Sequence, residues 1–237
     1  MCLAVSDILF EIEKINCSYK TSKRAVLEIE ELIINKNEVV FIIGPSGVGK
    51  TTILETLGLM NDTINSTSSS KFNFCPNNFS IDMRRIWEKK ERELSEMRRH
   101  FFSFIFQSDN LFSSLTGYQN IIARSLIEGT DSNLAKRNAR IVLEDILKDL
   151  NSKDQEDFSI TEMSGGQKQR ISFARAITSN YQILFADEPT GNLDWYNAEL
   201  LMEFLIKSLA KSSGSSAIIV SHDIKLALDF ADKIIYI

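Results

Sequence analysis

The sequence is poor in cysteine and contains no long hydrophobic run, and each shortage excludes a class of protein. Its three cysteines, Cys2, Cys17 and Cys75, are scattered and form no CxxC pair, which argues against a disulfide framework or a zinc site and fits a reducing cytosol. The longest largely apolar runs, at 39–43 and 101–106, are far too short to span a bilayer. The first residues lack a basic stretch followed by a long apolar core, so we expect no secretory signal.

Positive charge is also in short supply. The chain has 27 lysines and arginines against 32 acidic residues, a net charge of −5, which argues against nucleic acid as the main partner and is most simply explained by solubility. From Ile86 to Arg99 acids and bases interleave, with Glu88 placed to pair with Arg92, so we predict a solvated helix there. With 237 residues, 43% of them hydrophobic, the chain is long enough for one large domain.

A glycine-rich turn follows the apolar run at 39–43. Residues 44–51 fit the pattern GxxxxGK[ST], directly before a predicted helix at about 50–60. Glycines let backbone N–H groups approach a phosphate closely, and the helix N-terminus adds partial positive charge. Lys50 can reach the β- and γ-phosphates, and the Thr51 hydroxyl can ligate Mg²⁺. The pattern predicts a nucleotide-binding loop; a glycine turn that matches by chance is the alternative.

Two adjacent carboxylates follow another apolar run, at 183–186. We interpret this run as a buried strand of a parallel sheet, which places Asp187 and Glu188 at its carboxyl end, where open α/β sheets bind ligands. Asp187 would complete a Mg²⁺-nucleotide site, and Glu188 would orient an attacking water. A carboxylate that only caps a turn is the alternative for Asp187.

A second anion site is predicted where another helix begins. Ser164 is a natural N-cap, and Gly165 and Gly166 leave backbone donors free. An ordinary capped helix is the alternative, but two glycines would then cost helix stability without any benefit. Because residues 44–51 already serve a nucleotide, we expect this second site to meet a nucleotide held by another subunit.

The order of hydrophobic segments predicts an α/β fold, with strands separated by a helical insertion. The serine-rich stretch 61–70 is predicted to be a flexible, solvated connector. We expect one domain over 1–237, with an α/β core at about 1–94 and 166–237 and a helical subdomain at about 95–165. Strands are predicted at 8–15, 25–34, 39–43, 101–106, 182–186, 216–220 and 233–237, and helices at 50–60, 86–99, 117–128, 133–150, 166–178, 196–211 and 223–231.

These motifs stand in the order found in ABC-type ATPase domains, which the chain resembles over nearly its whole length. The motifs are the Walker A sequence at 44–51, Ser-Gly-Gly-Gln at 164–167, the pair at 187–188 and Ser-His-Asp at 221–223. The stretches 187–194 and 98–111 resemble one subgroup, the lipoprotein-releasing, macrolide-exporting and cell-division ATPases. The resemblance implies a P-loop NTPase core with a mostly parallel sheet, an antiparallel β part and an inserted α-helical subdomain.

The resemblance also implies roles for individual residues. Gln107 would touch Mg²⁺ or the attacking water, Asp194 would close across a dimer interface, and His222 would contact the γ-phosphate. Tyr19 lies where the family stacks an aromatic ring on adenine. The residues expected to act in catalysis are Glu188, His222, Gln107 and Lys50; those expected to hold Mg²⁺ are Thr51, Gln107 and Asp187; and those expected to bind ATP are Tyr19, Gly44, Pro45, Ser46, Gly47, Val48, Gly49, Lys50, Thr51, Thr52, Ser164, Gly165, Gly166, Gln167 and Asp194.

The leading hypothesis is the ATP-hydrolysing motor subunit of an ABC transporter, dimerising around two ATP and driving a membrane permease on a separate chain. The permease would hold the cytoplasmic subunit at the inner face of the membrane. Leu111, Phe112 and Tyr118 are either permease contacts or core of the helical subdomain. The alternative is an ATP-driven signalling clamp on a membrane partner.

Nucleic acid is not expected as a partner, since 61–100 is too short for the insertions of DNA-repair relatives. The stretch 61–83 lacks glycine turns, so we expect its small antiparallel sheet to be degenerate.

Overall fold

A computed structural model describes residues 7–18, 27–64, 70–77, 79–146, 159–211 and 215–237, so the predicted adenine-stacking Tyr19 lies outside the described residues. The strands within these ranges are β1 (Ile8–Cys17), β2 (Leu27–Asn35), β3 (Val39–Ile43), β4 (Lys71–Phe74), β5 (Ile81–Asp82), β6 (Phe102–Ile105), β7 (Ile183–Asp187), β8 (Ser216–Ser221) and β9 (Lys233–Tyr236). The α-helices within them are α1 (Lys50–Leu57), α2 (Glu91–Phe101), α3 (Gly117–Ile127), α4 (Ser132–Ile146), α5 (Gly165–Ile177), α6 (Trp195–Lys211) and α7 (Ile224–Phe230).

In the part of the chain that the structure describes, five strands form a parallel sheet in the order β6-β7-β8-β3-β9. Every residue of β3, β7 and β8 is buried. A strand covered on both faces has no polar side to show, which is why these strands are continuous apolar runs in the sequence. Because all five strands run in one direction, their carboxyl ends meet at a single edge of the sheet, where ligands of such folds bind.

The described strands β2, β1, β4 and β5 form an antiparallel sheet in that order, so the expectation of a degenerate sheet over 61–83 is wrong. Alternate residues of β4, Phe72 and Phe74, are fully buried and face β1. The rings of Phe10 and Phe74 stack with centroids 4.8 Å apart. This aromatic packing between strands stabilises the sheet without the glycine turns that the sequence lacks.

The start of the serine-rich stretch is packed against the core, which corrects the prediction of a solvated connector for residues 61–64. Thr63 is 2% exposed, and its hydroxyl lies 2.5 Å from that of Thr56 on α1. The Thr63 carbonyl accepts a hydrogen bond from the backbone N–H of Ser18. The rest of the predicted loop, 65–69, lies outside the described residues.

The charged segment 86–99 forms a helix that begins later than predicted. A single 3₁₀ turn at Ile86–Glu88 is followed by two extended residues, and α2 starts only at Glu91. Glu88 pairs with Arg85 at 3.2 Å, and Arg92 pairs with Glu96 at 3.1 Å. The predicted Glu88–Arg92 pair is therefore wrong, because the extended residues place its two members on different elements.

Helices α3, α4 and α5 pack on one another around a shared apolar core that includes Ile121, Leu143 and Ile171. The range expected for the helical subdomain, 95–165, also contains β6, which pairs with β7 in the parallel sheet. The helical part thus begins after β6 rather than at residue 95. Within the described ranges, no helix is both long and apolar enough to cross a membrane.

Candidate nucleotide-binding site

The loop between β3 and α1 has the backbone shape that its glycines were expected to provide. Gly47 and Gly49 have φ angles of +84° and +104°, in a region that residues with side chains rarely adopt. Gly49 is the N-cap of α1 and has no side chain with which to cap the helix. The first backbone N–H groups of α1 therefore remain available to an anion at the helix N-terminus.

Lys50 is folded inward over this loop. Its ammonium group donates hydrogen bonds to the carbonyl oxygens of Gly44 and Pro45, both at 2.8 Å, and the residue is 8% exposed. A buried ammonium needs partners, and here neutral carbonyls supply them. A phosphate would be a stronger partner, because charge-assisted hydrogen bonds are stronger than those to neutral acceptors. The loop therefore fits a phosphorylated ligand.

Thr51, in the first turn of α1, and Asp187, the last residue of β7, meet beside the loop. The Thr51 hydroxyl donates to Asp187 Oδ2 at 3.0 Å, and Asp187 is 8% exposed. Burial raises the pKa of the Asp187 carboxyl, an effect that the Thr51 hydrogen bond partly offsets. Among the described residues, no three acidic, histidine or cysteine side chains converge to hold a metal on their own. The pair nevertheless fits Mg²⁺, which is commonly held by one or two carboxylates together with phosphate oxygens.

The backbone of Glu188 is strained, and hydrogen bonds to both its N–H and its carbonyl group fix it. Its φ is +47°, in the left-handed region that is unfavourable for a residue with a side chain. Its N–H donates to the Val220 carbonyl at 2.9 Å, and its carbonyl accepts from Gly191 N at 3.1 Å. Its side chain is 15% exposed, and Oε2 lies 2.8 Å from Nδ1 of His222. The structure thus joins two predicted catalytic side chains from neighbouring strands.

Ser164 forms the helix cap that the sequence predicted. Its hydroxyl accepts from Gln167 N at 3.3 Å, and Gln167 Oε1 accepts from Ser164 N at 2.9 Å, a reciprocal capping box at the start of α5. Both side chains are therefore engaged within the helix start. Gly165 is exposed, and a Cβ atom there would meet nothing within 4 Å. The glycine leaves this helix start accessible to a second molecule.

The two glycine motifs, Gln107 and Asp194 are the remaining predicted groups of the site. Within the described ranges, no hydrogen bond connects residues 164–167 with residues 44–51. Gln107 lies two residues beyond β6, at the same edge of the sheet, but in the described part of the chain it donates no hydrogen bond to Thr51 or Asp187. Asp194 caps α6 by accepting from Asn197 N at 3.0 Å. Hydrogen bonds from Asn197 hold the pKa of Asp194 below its usual value.

Sequence reasoning missed Gln169, which connects α5 to the turn after Glu188. Gln169 is 2% exposed, and its Nε2 donates to the Pro189 carbonyl at 2.5 Å. The available signal was a polar residue on the apolar face of a predicted helix, since a buried amide there requires a partner. A hydrogen bond therefore connects α5 with the turn that directly follows Asp187 and Glu188.

A glycine loop between a strand and a helix, with a carboxylate from a second parallel strand, defines the P-loop NTPase class. The family model for ABC transporters matches residues 27–191, and the chain belongs to that family. The predicted fold class and family are confirmed.

Known relatives agree with this assignment. The lipoprotein-releasing system ATP-binding protein LolD of Bacteroides thetaiotaomicron is 35% identical over 85% of this chain and 85% of that protein. The macrolide export ATP-binding/permease protein MacB of Mannheimia succiniciproducens is 35% identical over 97% of this chain but 33% of that protein, so the chain spans about a third of it. The dimeric bacterial ABC transporter cassette MJ0796 has a TM-score of 0.79 at 29% identity, over 97% of this chain and 94% of that one.

The same cassette in a post-hydrolysis state, bound to ADP and Pi, has a TM-score of 0.78 at 28% identity. The chain is therefore an ATP-binding, ATP-hydrolysing cassette, the motor subunit of an ABC transporter. This confirms the predicted enzyme class.

Proposed function

We propose that two copies of this chain close around two ATP molecules, hydrolyse them with Glu188 and His222, and thereby drive a membrane permease on a separate chain. The observation that carries the proposal is the Glu188–His222 hydrogen bond beside the Thr51–Asp187 pair. This arrangement places a water-activating carboxylate and a metal-binding pair at the same edge of the sheet as the phosphate loop.

Thr51 and Asp187 would hold Mg²⁺, with Gln107 approaching from the end of β6. When bound, Mg²⁺ neutralises charge on the phosphate oxygens. The geometry of the oxygen pair supports this assignment, because both atoms already lie within 3.0 Å of each other. Lys50 would exchange its two carbonyl partners for the β- and γ-phosphates, at little cost in reorganisation because the ammonium already lies over the loop.

Glu188 would accept the proton of the attacking water through its carboxylate. Its left-handed backbone and two backbone hydrogen bonds fix the direction of the side chain. His222 Nδ1 is hydrogen-bonded to one carboxylate oxygen, and the other oxygen, which has no hydrogen bond within the described residues, would orient a water. The His222 side chain is 71% exposed, so its other ring nitrogen can reach an incoming γ-phosphate.

The second copy would contribute Ser164, Gly165, Gly166 and Gln167 to each ATP, with Asp194 at the interface. The open space at Gly165 and the exposed start of α5 support an arrangement between subunits. The structural relative that was solved as a dimer also supports it. A homodimer is the simplest assembly, since one chain carries both half-sites.

A permease would bind near the segment that follows Gln107 and hold the cassette at the cytoplasmic face of the membrane. Phe112 in this segment is 56% exposed and is our candidate contact. Tyr118 is 8% exposed and belongs to the core shared by α3, α4 and α5, so it is not a surface contact. The relatives named for lipoprotein release and macrolide export support an export or release function.

A mixture of two defective variants tests the proposed assembly. Both variants carry Glu188→Gln so that bound ATP is not hydrolysed; in addition, Lys50→Ala removes the phosphate-binding ammonium of one, and Ser164→Arg blocks the open helix start of α5 in the other. Each variant alone should remain monomeric with ATP and Mg²⁺, because every site in its homodimer carries a defect. The mixture should form a heterodimer containing one ATP for two chains, because one of its two sites is intact. Light scattering and nucleotide analysis measure both values. Monomers in the mixture, or dimers of either variant alone, would contradict the arrangement.

A further inference from the structure

Two side chains without a role in the proposed catalytic scheme, Trp195 and Lys225, meet at the rim of the site. The ammonium nitrogen of Lys225 lies 3.6 Å from the centroid of the Trp195 ring. This is a cation–π contact, and tryptophan is the aromatic residue that attracts cations most strongly. Trp195 directly follows Asp194, and Lys225 lies three residues beyond His222. The contact therefore joins the two segments that carry these proposed functional residues.

His222 lies between the buried strand β8, which ends at Ser221, and a short helix. Helix α7, which follows it, has seven residues, of which Leu226 and Ala227 are buried. The Asp223 side chain caps this helix by accepting from the backbone N–H groups of Lys225 and Leu226. These hydrogen bonds are local to the segment and shape α7, while Leu226 and Ala227 pack it on the main core.

Helix α6, by contrast, is firmly packed. It has 17 residues, and Ala198, Leu201 and Leu205 along it are at most 4% exposed in the main core. Trp195 is its first residue and is 38% exposed. In the part of the chain that the structure describes, no carboxylate lies within ion-pair distance of Lys225, so the indole ring is the group that holds its ammonium. The contact attaches the short helix to the long one.

A cavity of about 180 Å³ lies between the two segments and is shared by them. Thr190, Gly191 and Leu193, from the segment after Glu188, line it together with Ser221 and Asp223 from the segment around His222. Glu188 and His222 also line this cavity, and Trp195 forms part of its wall. A cavity leaves its walls without packing across the gap, so the contact at its rim limits how far they can move apart.

We propose that Trp195 and Lys225 are positioning residues for ATP hydrolysis. Their contact holds the start of α7 against α6 and so keeps His222 in hydrogen-bonding distance of Glu188. It also couples that hydrogen bond to the segment of Asp194, the residue expected at the subunit interface. The inference rests on the proposed roles of Glu188 and His222.

Steady-state hydrolysis of ATP by the full chain with Mg²⁺ tests the positioning pair. Lys225→Gln should lower kcat about threefold to fivefold and change KM by less than about twofold, because an exposed cation–π contact accounts for a factor of up to about five. Lys225→Arg keeps a cation over the ring and should restore kcat to within about twofold of the wild type. Trp195→Leu should resemble Lys225→Gln, and the double variant should be no slower than the slower single variant.

Two further measurements separate positioning from general damage. Lys207→Gln is the matched control, since Lys207 is an exposed lysine of α6 that pairs with Glu203, and kcat should not change. Trp87→Phe leaves Trp195 as the remaining one of the chain's two tryptophans, and in this background Lys225→Gln should shift its fluorescence while Lys225→Arg should not. An unchanged kcat in Lys225→Gln, or an equal loss of kcat in Lys225→Arg, would overturn the proposed positioning role of Trp195 and Lys225.

His222→Ala distinguishes this inference from the proposed function. Full kcat in His222→Ala would refute the proposed role of His222, and the positioning pair with it. A large loss in His222→Ala without any loss in Lys225→Gln would overturn the positioning pair alone.

Discussion

At the scale of single residues, several residues of the site are held in environments or conformations that are unfavourable in free energy. Lys50 and Asp187 are both 8% exposed, although each carries a group that prefers water when charged. Glu188 has a left-handed backbone, which is unfavourable for any residue but glycine. Each cost falls on a residue expected to contact nucleotide, metal or water. We interpret them as preorganisation, in which the folded protein accepts strain so that binding requires little rearrangement.

Asp187→Asn should raise the melting temperature of the nucleotide-free and metal-free protein at pH 7. Burial raises the pKa of Asp187 above its value of about 4 in the unfolded chain. The folded state then binds more protons between these two pKa values, so the stability contributed by Asp187 falls as the pH rises through that window. The variant removes this penalty, and its advantage should shrink as the pH is lowered toward about 4.

Thermal unfolding at several pH values measures this effect. Asp229→Asn, at an exposed acid of α7, is the matched control and should leave the melting temperature nearly unchanged. A lower melting temperature for Asp187→Asn at pH 7 would show that the carboxylate stabilises the empty site.

At the scale of elements, side chains of the helices fix the loops that carry function. Asn120 of α3 is fully buried and secures the segment 112–116. Its Oδ1 accepts from Phe112 N at 2.8 Å, and its Nδ2 donates to the carbonyls of Phe112 and Thr116 at 3.1 and 3.0 Å. The exposed Phe112, our candidate permease contact, is thereby attached to the core of the helical part.

Asn120→Leu should lower the free energy of unfolding by about 1–3 kcal/mol, because it leaves partly buried backbone groups of Phe112 and Thr116 without their side-chain partner. Urea unfolding measures the change. Asn138→Leu places the same substitution on the exposed face of α4 and should change the free energy by less than about 0.5 kcal/mol. Equal effects of the two variants would mean that Asn120 does not secure the loop.

At the scale of the whole molecule, the sequence predicts what depends on local pattern. The glycine-rich loop, the Ser164 cap and the strand bearing Asp187 are each determined by a few neighbouring residues, and the structure has all three elements where the sequence predicts them. Contacts between distant segments were not predictable. Phe72 and Phe74 reveal a strand only when β1 is beside them, and Tyr118 is buried only because α5 covers it. The same holds for Gln169, whose partner Pro189 lies on another element.

The assignment of Glu188 as the base that activates water is the central claim, and single-turnover hydrolysis of ATP tests it most directly. Glu188→Gln keeps the size and the hydrogen-bonding shape of the side chain but removes its ability to accept a proton. Hydrolysis should fall about a hundredfold or more, the range for loss of a general base, while ATP binding is retained. Glu203→Gln, which breaks an exposed ion pair on α6, should hydrolyse ATP at the wild-type rate. A wild-type rate in Glu188→Gln would contradict the account.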